Sequence, residues 1–318
     1  MKKTVALLLL VLFTVAAVAG CAPQTQRLLM VTGGTSGTYY AYGGVIASTL
    51  TEKLNNIEIT ANTSGASAAN ARSLKSEEAE LAILQNDVLD YAYRGTVVMS
   101  EDEPMTTLRT IATLYPEVVQ VVATKSSGIT SVADLKGMRV NVGDIGSGTE
   151  ANAMQVCEAY GISFSDFSKT ENLSFGESAT AMQNGTIDAS FTTAGVPNPA
   201  ITELNSAVEI VILPVSGAEA DSLIAKYPFY SKYRIEDSDY GIAGADTVAI
   251  LATIACTTKL NDNTVYAITK ALFDNQPALA AGHAKGEMLS AQNAVQGVSI
   301  PFHPGAEKYY KEVGVLPK

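Results

Sequence analysis

Two glycine-rich loops carry the residues whose types and spacing suit chemistry. The first is Gly33-Gly34-Thr35-Ser36-Gly37-Thr38-Tyr39, and the second is Gly143-Asp144-Ile145-Gly146-Ser147-Gly148-Thr149-Glu150. Each follows a short apolar run and opens a stretch with helical spacing. At such a strand-to-helix junction the first helical N–H groups lack partners and the helix dipole is positive, so the junction attracts an anion. Glycine lets the backbone approach a ligand closely, and Ser or Thr adds hydroxyl donors. In open α/β sheets ligands lie beyond the carboxyl ends of strands, which is where both loops fall. One loop on each of two lobes would grip a carboxylate from both sides. Neither loop contains Arg, so helix ends rather than a guanidinium are expected to hold the charge. For a ligand that also carries an ammonium group, Asp87, Glu117 and Glu150 are the carboxylates placed to face it.

Other chemistries fit poorly. The first loop lacks the G-x-G-x-x-G spacing of a dinucleotide site. The second has Gly143, four residues and Gly148-Thr149, but no Lys before the Thr as a phosphate loop requires. There is no G-x-S-x-G elbow and no H-E-x-x-H. The two histidines, His283 and His303, are far apart, and His303 between Phe302 and Pro304 reads as structural. No Cys/His cluster has metal-ligand spacing. The expectation is a binding protein without cofactor or metal, and not an enzyme.

The elements that must position these loops alternate. Leu28–Thr32 reads as a strand, followed by a helix to about Leu54, a strand over Ile57–Ala61, and a short helix carrying Asn70 and Leu74. Leu81–Leu84 is a strand, and Gln85-Asn86-Asp87 opens the next helix. Such alternation implies a parallel α/β sheet. Leu108–Ala123 is long, extended and rich in Val, with Pro116 inside it; a second α/β series starts at Arg139, and Thr247–Thr257 is another long extended run. Two α/β series joined by two long strands predict a two-lobed α/β fold with a double-crossover hinge, each lobe a mixed sheet flanked by helices. Lobe 1 takes residues 27–122 plus 248–318, and lobe 2 takes 123–247. A cleft between such lobes is a ligand trap.

The N-terminus reads as an export signal. Lys2 and Lys3 precede an apolar run from Val5 to Ala19, which ends in Val18-Ala19-Gly20-Cys21. The run is shorter than the ~20 residues of a membrane span. Residues 1–20 are therefore expected to be a lipoprotein signal peptide, and 21–27 a lipidated Cys21 with its tether. The expected location is extracytoplasmic, lipid-anchored to the cell membrane, in the periplasm or on the outer face of the cytoplasmic membrane. Without Lys2 and Lys3 there are 19 basic residues against 32 acidic ones, a net charge of −13. Such a chain is a poor partner for nucleic acid, and it has no Trp for a stacking platform. Cys157 and Cys256 read as buried free thiols.

The motif set as a whole resembles the TAXI family, the solute receptors of one branch of tripartite ATP-independent periplasmic (TRAP) transporters. The resemblance starts at Val31-Thr32-Gly33-Gly34-Thr35-Ser36-Gly37-Thr38-Tyr39-Tyr40 and continues through Gln85-Asn86-Asp87, Tyr115-Pro116-Glu117 and Asp134-Leu135-Lys136-Gly137. It goes on through Val142-Gly143 to Thr149-Glu150, Ala194-Gly195-Val196-Pro197-Asn198, Tyr227-Pro228-Phe229-Tyr230 and Pro301-Phe302-His303-Pro304-Gly305-Ala306. It implies a type II periplasmic-binding-protein fold, a cleft ligand such as glutamate, a related amino acid or a dicarboxylate, and delivery to a TRAP permease. By motif position the cleft would be lined by Gly34, Thr35, Ser36, Thr38 and Tyr39. Asn70, Gln85 and Asp87 would add polar contacts. Ser147, Gly148 and Thr149 would close from lobe 2, with Gly195, Val196 and Pro197 beside them. Ser64-Gly65-Ala66-Ser67 departs from the Gly-Gly-Ser common in the family at that place.

Overall fold

A computed structural model describes residues 24–317; the signal segment and Cys21 lie outside the described residues. The first strands and helices alternate as β1 (Gln26–Val31), α1 (Thr38–Lys53), β2 (Ile57–Asn62), α2 (Ser67–Lys75), β3 (Leu81–Gln85) and α3 (Asn86–Arg94). The 17-residue β4 (Leu108–Thr124) leads to β5 (Arg139–Asn141), α4 (Gly148–Ala159), β6 (Lys169–Glu171), α5 (Phe175–Gln183), β7 (Ala189–Ala194) and α6 (Pro199–Ala207). Then come β8 (Ile210–Leu213), α7 (Gly217–Lys226), β9 (Ser231–Ile235), α8 (Asp237–Tyr240) and the 13-residue β10 (Ala245–Thr257). The chain closes with α9 (Asp262–Asp274), α10 (Gln276–Gly282) and α11 (Pro304–Glu312).

The strands run in the order β2-β1-β3-β10-β4-β7-β5-β6, with β8 on β4 and β9 on β10. Both ends of this curled sheet are parallel, and the antiparallel pair β4 and β10 joins them. The two long strands pair with each other from Leu108↔Thr257 to Val118↔Ala249. Beyond Val118, β8 takes the edge of β4 that β10 leaves, from Val121↔Leu213 onward. The register slips beside Leu251, which faces Pro116. Proline offers no N–H to a ladder, so the sheet is weakened where it passes from one lobe to the other.

Both faces of each sheet end are covered. Leu28 and Met30 enter one apolar cluster with α1, α9 and α11, while Val31, Ala82 and Leu84 enter another with α2 and α3. In the second lobe Val119, Val121 and Ala123 pack on α4, and Val118 and Val122 pack on α5 and α6. Successive strand side chains point to opposite faces. A strand covered on both faces therefore reads as a continuous apolar run, as Leu81–Leu84 does. The C-terminal helices return to the first lobe: Leu272 and Tyr310 share a cluster with Met30 and Tyr42. Cys157 and Cys256 are buried, free and in separate clusters. His303 caps α11: its Nδ1 accepts from the Gly305 N–H at 3.2 Å and its Nε2–H donates to the Leu260 carbonyl at 2.9 Å. No helix among the described residues is long and apolar enough to cross a membrane.

Candidate ligand-binding cleft

The β1–α1 loop and the β5–α4 loop face each other across one cleft, and Glu117 of β4, Gln85 of β3 and Thr193 of β7 reach its floor. It encloses about 70 Å³. At ~10–15 Å³ per water that is room for a handful of waters, which fits a small molecule and not a polymer. The two loops, Gln85 and Thr193 stand at or just beyond the carboxyl ends of strands, where an open sheet leaves backbone groups unpaired, while Glu117 projects from the middle of β4.

The two helix N-termini at the cleft differ. The N-cap of α1 is Gly37, with no side-chain cap and no acidic residue in the first turn. Its first N–H groups, beginning at Thr38, are left for a ligand, and Thr35 and Ser36 stand beside them. By contrast, α4 is capped from within. Ser147 Oγ accepts from the Glu150 N–H at 3.1 Å. The Glu150 carboxylate folds back to the Gly146 N–H at 2.8 Å and also takes Asn172 Nδ2 at 3.0 Å. Asp144 lines the same side, and its carboxyl is held above the usual range by burial and by the nearby charges of Glu177 and Glu150. The α5 start at Ser174 closes its own capping box with Glu177. The dipole of α4 is thus already offset by fixed acids, and that of α1 is not.

The floor is rich in polar atoms without partners. Tyr39 OH, Gln85 Oε1, Tyr115 OH, Glu117 Oε1 and Thr193 Oγ1 are all buried and make no hydrogen bond. Burial pushes the Glu117 carboxyl up to about 8, opposed by Tyr115, by the charge of Lys285 and by Tyr39. Tyr115 and Tyr39 stand close enough to influence Glu117, yet neither hydroxyl reaches hydrogen-bond geometry with it. Lys285 donates to the Val196 carbonyl at 2.7 Å, and its ammonium lies 5.9 Å from the Tyr115 ring centre. Burial lowers its pKa, which the charge of Glu117 opposes.

The lobes are in contact around the cleft. Gly195 N–H donates to Thr38 Oγ1 at 3.1 Å, Asn198 Nδ2 to the Ser36 carbonyl at 3.2 Å, and Ala68 N–H to the Gly146 carbonyl at 3.1 Å. Behind it, Asn152 of α4 accepts from Gln85 Nε2 at 3.0 Å and donates to Asp87 Oδ2 at 3.2 Å and to Tyr230 OH at 2.7 Å. The approach is close enough to need glycine. A Cβ on Gly148 would sit 2.0 Å from Gln85 Oε1, and one on Gly195 would sit 2.6 Å from the Lys285 side chain.

Of the residues singled out from the sequence, Gly34, Thr35, Ser36, Thr38, Tyr39, Gln85, Glu117, Ser147, Gly148 and Thr149 come together on the cleft lining. Asn70 does not: it is fully buried behind the lining, where its Nδ2 ties the Thr32 and Ile83 carbonyls together at 2.7 Å each. Asp87 also lies behind, fully buried, with its carboxyl pushed up to about 7 by burial against the bonds from the Val88 N–H and Asn152. Glu150 is occupied as a cap. Gly195, Val196 and Pro197 stand beside the cleft rather than on it; Gly195 and Val196 receive the lobe 1 contacts of Thr38 and Lys285. Sequence reasoning passed over Asp144, Phe175, Thr193 and Lys285. Thr193 lies at the carboxyl end of β7, where the carboxyl-end rule would have found it. Lys285 stands between Ala284 and Gly286 with no motif to mark it.

With this geometry in hand, the chain belongs to the NMT1-like family, which matches residues 30–314. Its fold is similar to that of the alkanesulfonate-binding protein SsuA from Xanthomonas axonopodis pv. citri bound to MOPS, with a TM-score of 0.53 and 15% identity over 91% of this chain and 85% of that one. It is similar to PhnD1 from Prochlorococcus marinus (MIT 9301) in complex with methylphosphonate, at a TM-score of 0.57 and 10% identity over 92% of this chain and 100% of that one. The substrate-binding protein of an amino acid ABC transporter gives a TM-score of 0.50 and 13% identity over 83% and 100%. The fold is therefore the two-lobed, type II periplasmic-binding-protein architecture expected from the sequence. The TAXI assignment is corrected: the family match is NMT1-like, and the similar structures are sulfonate-, phosphonate- and amino-acid-binding proteins rather than TRAP receptors. The reason is physical. Gly, Ser and Thr at a strand-to-helix turn answer a backbone need that every branch of this fold shares, so they do not separate one branch from another.

Proposed function

We propose that this protein is an extracytoplasmic solute receptor that captures a small organic anion between its lobes and passes it, unchanged, to a membrane transporter. The observation that carries this reading is the uncapped, acid-free N-terminus of α1 opening into an enclosed cleft. An anion there gains the helix dipole and free N–H groups, and no Arg or Lys stands on the lining to do the task instead. The proteins of similar fold are named for alkanesulfonate, methylphosphonate and amino acid ligands, each of which has an acidic end. One of them serves an ABC transporter, which supports an ABC-type permease as the partner here. Glutamate and related amino acids, dicarboxylates, sulfonates and phosphonates are the ligands to try first. The lobes would close by bending β4 and β10 beside Pro116 and Leu251, a few residues inside the boundaries at 122 and 248 read from the sequence, driven by what the ligand gains only in the closed state. A signal segment ending at Cys21 supports a lipid anchor.

Calorimetric titration tests this, using purified protein freed of carried ligand by partial unfolding and refolded. L-glutamate, 2-oxoglutarate, methanesulfonate and methylphosphonate serve as probes. One-to-one binding of at least one at a Kd of about 10 μM or tighter, near −7 kcal/mol, is expected. Silence from every class in protein shown to be refolded contradicts the reading. Release of a Cys21→Ala variant from the membrane fraction is the expected result for the anchor.

A further inference from the structure

We infer that Glu117 seats a ligand ammonium group, so that the solute is a zwitterion with its anionic end at α1 and its ammonium on the cleft floor; this rests on the receptor reading above. Glu117 Oε1 and Gln85 Oε1 are buried acceptors that no donor reaches, although the hydroxyls of Tyr39 and Thr193 stand unpartnered on the same lining. A buried acceptor left without a donor is costly, and these two are left so together. An ammonium brings three donors and the one positive charge that nothing on the lining supplies. The protein's own cation does not fill the role, because Lys285 places its ammonium on the Val196 carbonyl and leaves Glu117 Oε1 free. A dicarboxylate fits worse. With one carboxylate at α1, its second would point toward Glu117 and Asp144, which both line the cleft.

Proton uptake and release follow from the same geometry. Glu117 is buried and faces Lys285, Asp87, Tyr39 and Tyr115, and its carboxyl is pushed up to about 8. In the empty cleft at pH 7 it is therefore mostly uncharged, and an arriving ammonium ionises it. Binding then releases part of a proton per ligand at pH 7.

The test uses matched pairs of probes that differ only in the amino group: L-glutamate with glutarate, L-alanine with propionate, taurine with ethanesulfonate, and 2-aminoethylphosphonate with ethylphosphonate. Each is titrated calorimetrically into the refolded protein in phosphate and in Tris, whose ionisation heats differ. The expected result is that the amino member of the binding pair wins by about 100-fold or more and releases a proton. In E117Q the preference falls to within about tenfold. In D144N the preference is kept. Equal or tighter binding of the des-amino member overturns the zwitterion assignment and leaves the receptor reading intact. Preference lost in D144N but kept in E117Q moves the ammonium to Asp144 and overturns the role of Glu117. No binding by any pair removes the receptor reading itself. If E117Q does not fold, the proton count on the unmodified protein decides, and binding of the amino member without release overturns the proposal.

Discussion

Helices α1 and α4 start from loops that look alike in sequence and approach the same cleft from opposite lobes. One is open and the other is closed on itself. Gly37 gives α1 no side-chain cap and no acid in its first turn, whereas at α4 Ser147 caps the Glu150 N–H, the Glu150 carboxylate binds the preceding Gly146 N–H, and Asp144 adds a carboxylate at the lip. Both loops are rich in glycine and hydroxyls, but only an end without its own acceptor is free to hold a foreign anion. Against the two-sided grip on one carboxylate expected from the sequence, we propose a polar cleft. It has a positive end at α1 and an acceptor-rich floor and far side.

The comparison breaks most easily at Gly37. Gly37→Asp would supply the missing cap, with the Gly34 carbonyl, 3.1 Å from the new Cβ, yielding by a few tenths of an ångström. The new carboxylate would occupy the place of the ligand's anion. Ligand affinity should fall about 100-fold or more while the protein stays folded, read by calorimetry and thermal melting. Unchanged affinity would mean that the anion sits elsewhere. Gly148→Ala tests the closed contact instead. Its Cβ would displace Gln85 from Asn152, so affinity should fall about 10- to 100-fold, with a melting temperature within a few degrees of the parent.

Acidity sharpens the contrast between the two sides. Asp87 and Glu117 are pushed up to about 7 and about 8, far above their values in an unfolded chain near ~4. Between these limits the folded protein binds more protons than the unfolded one, so its stability rises as pH falls from about 8 to about 5. Asp87→Asn should flatten this slope in melts recorded across that range. Ser147→Ala should have the smallest effect on binding. Loss of the α4 cap costs ~1 kcal/mol of stability, with affinity changed by no more than about threefold. A large loss of affinity with no loss of stability would restore the two-sided grip.

Much of this was legible from residue pattern. Strands with both faces buried announce themselves as apolar runs, and β3 and β10 were plain for that reason. The edge strand β9, Ser231–Ile235, was passed over because only Ile235 is fully buried along it. Helix α7 was likewise missed, since it buries only Ala220 and Leu223. At the cleft, the loops were legible because their glycines and hydroxyls lie next to strand ends. The difference between α1 and α4 was not, because it depends on where the Glu150 side chain turns. Lys285 packs behind the cleft from the C-terminal segment, 89 residues from the Val196 carbonyl it binds, and no local pattern encodes such a contact.

The most direct measurement is a crystal structure of the protein with its bound solute. The expected result is an anionic group within hydrogen-bond distance of the N–H groups in the first turn of α1, beginning at Thr38, with no anion on Ser147, Gly148 or Thr149. An anion seated on the α4 end, or held by an arginine, would contradict the account.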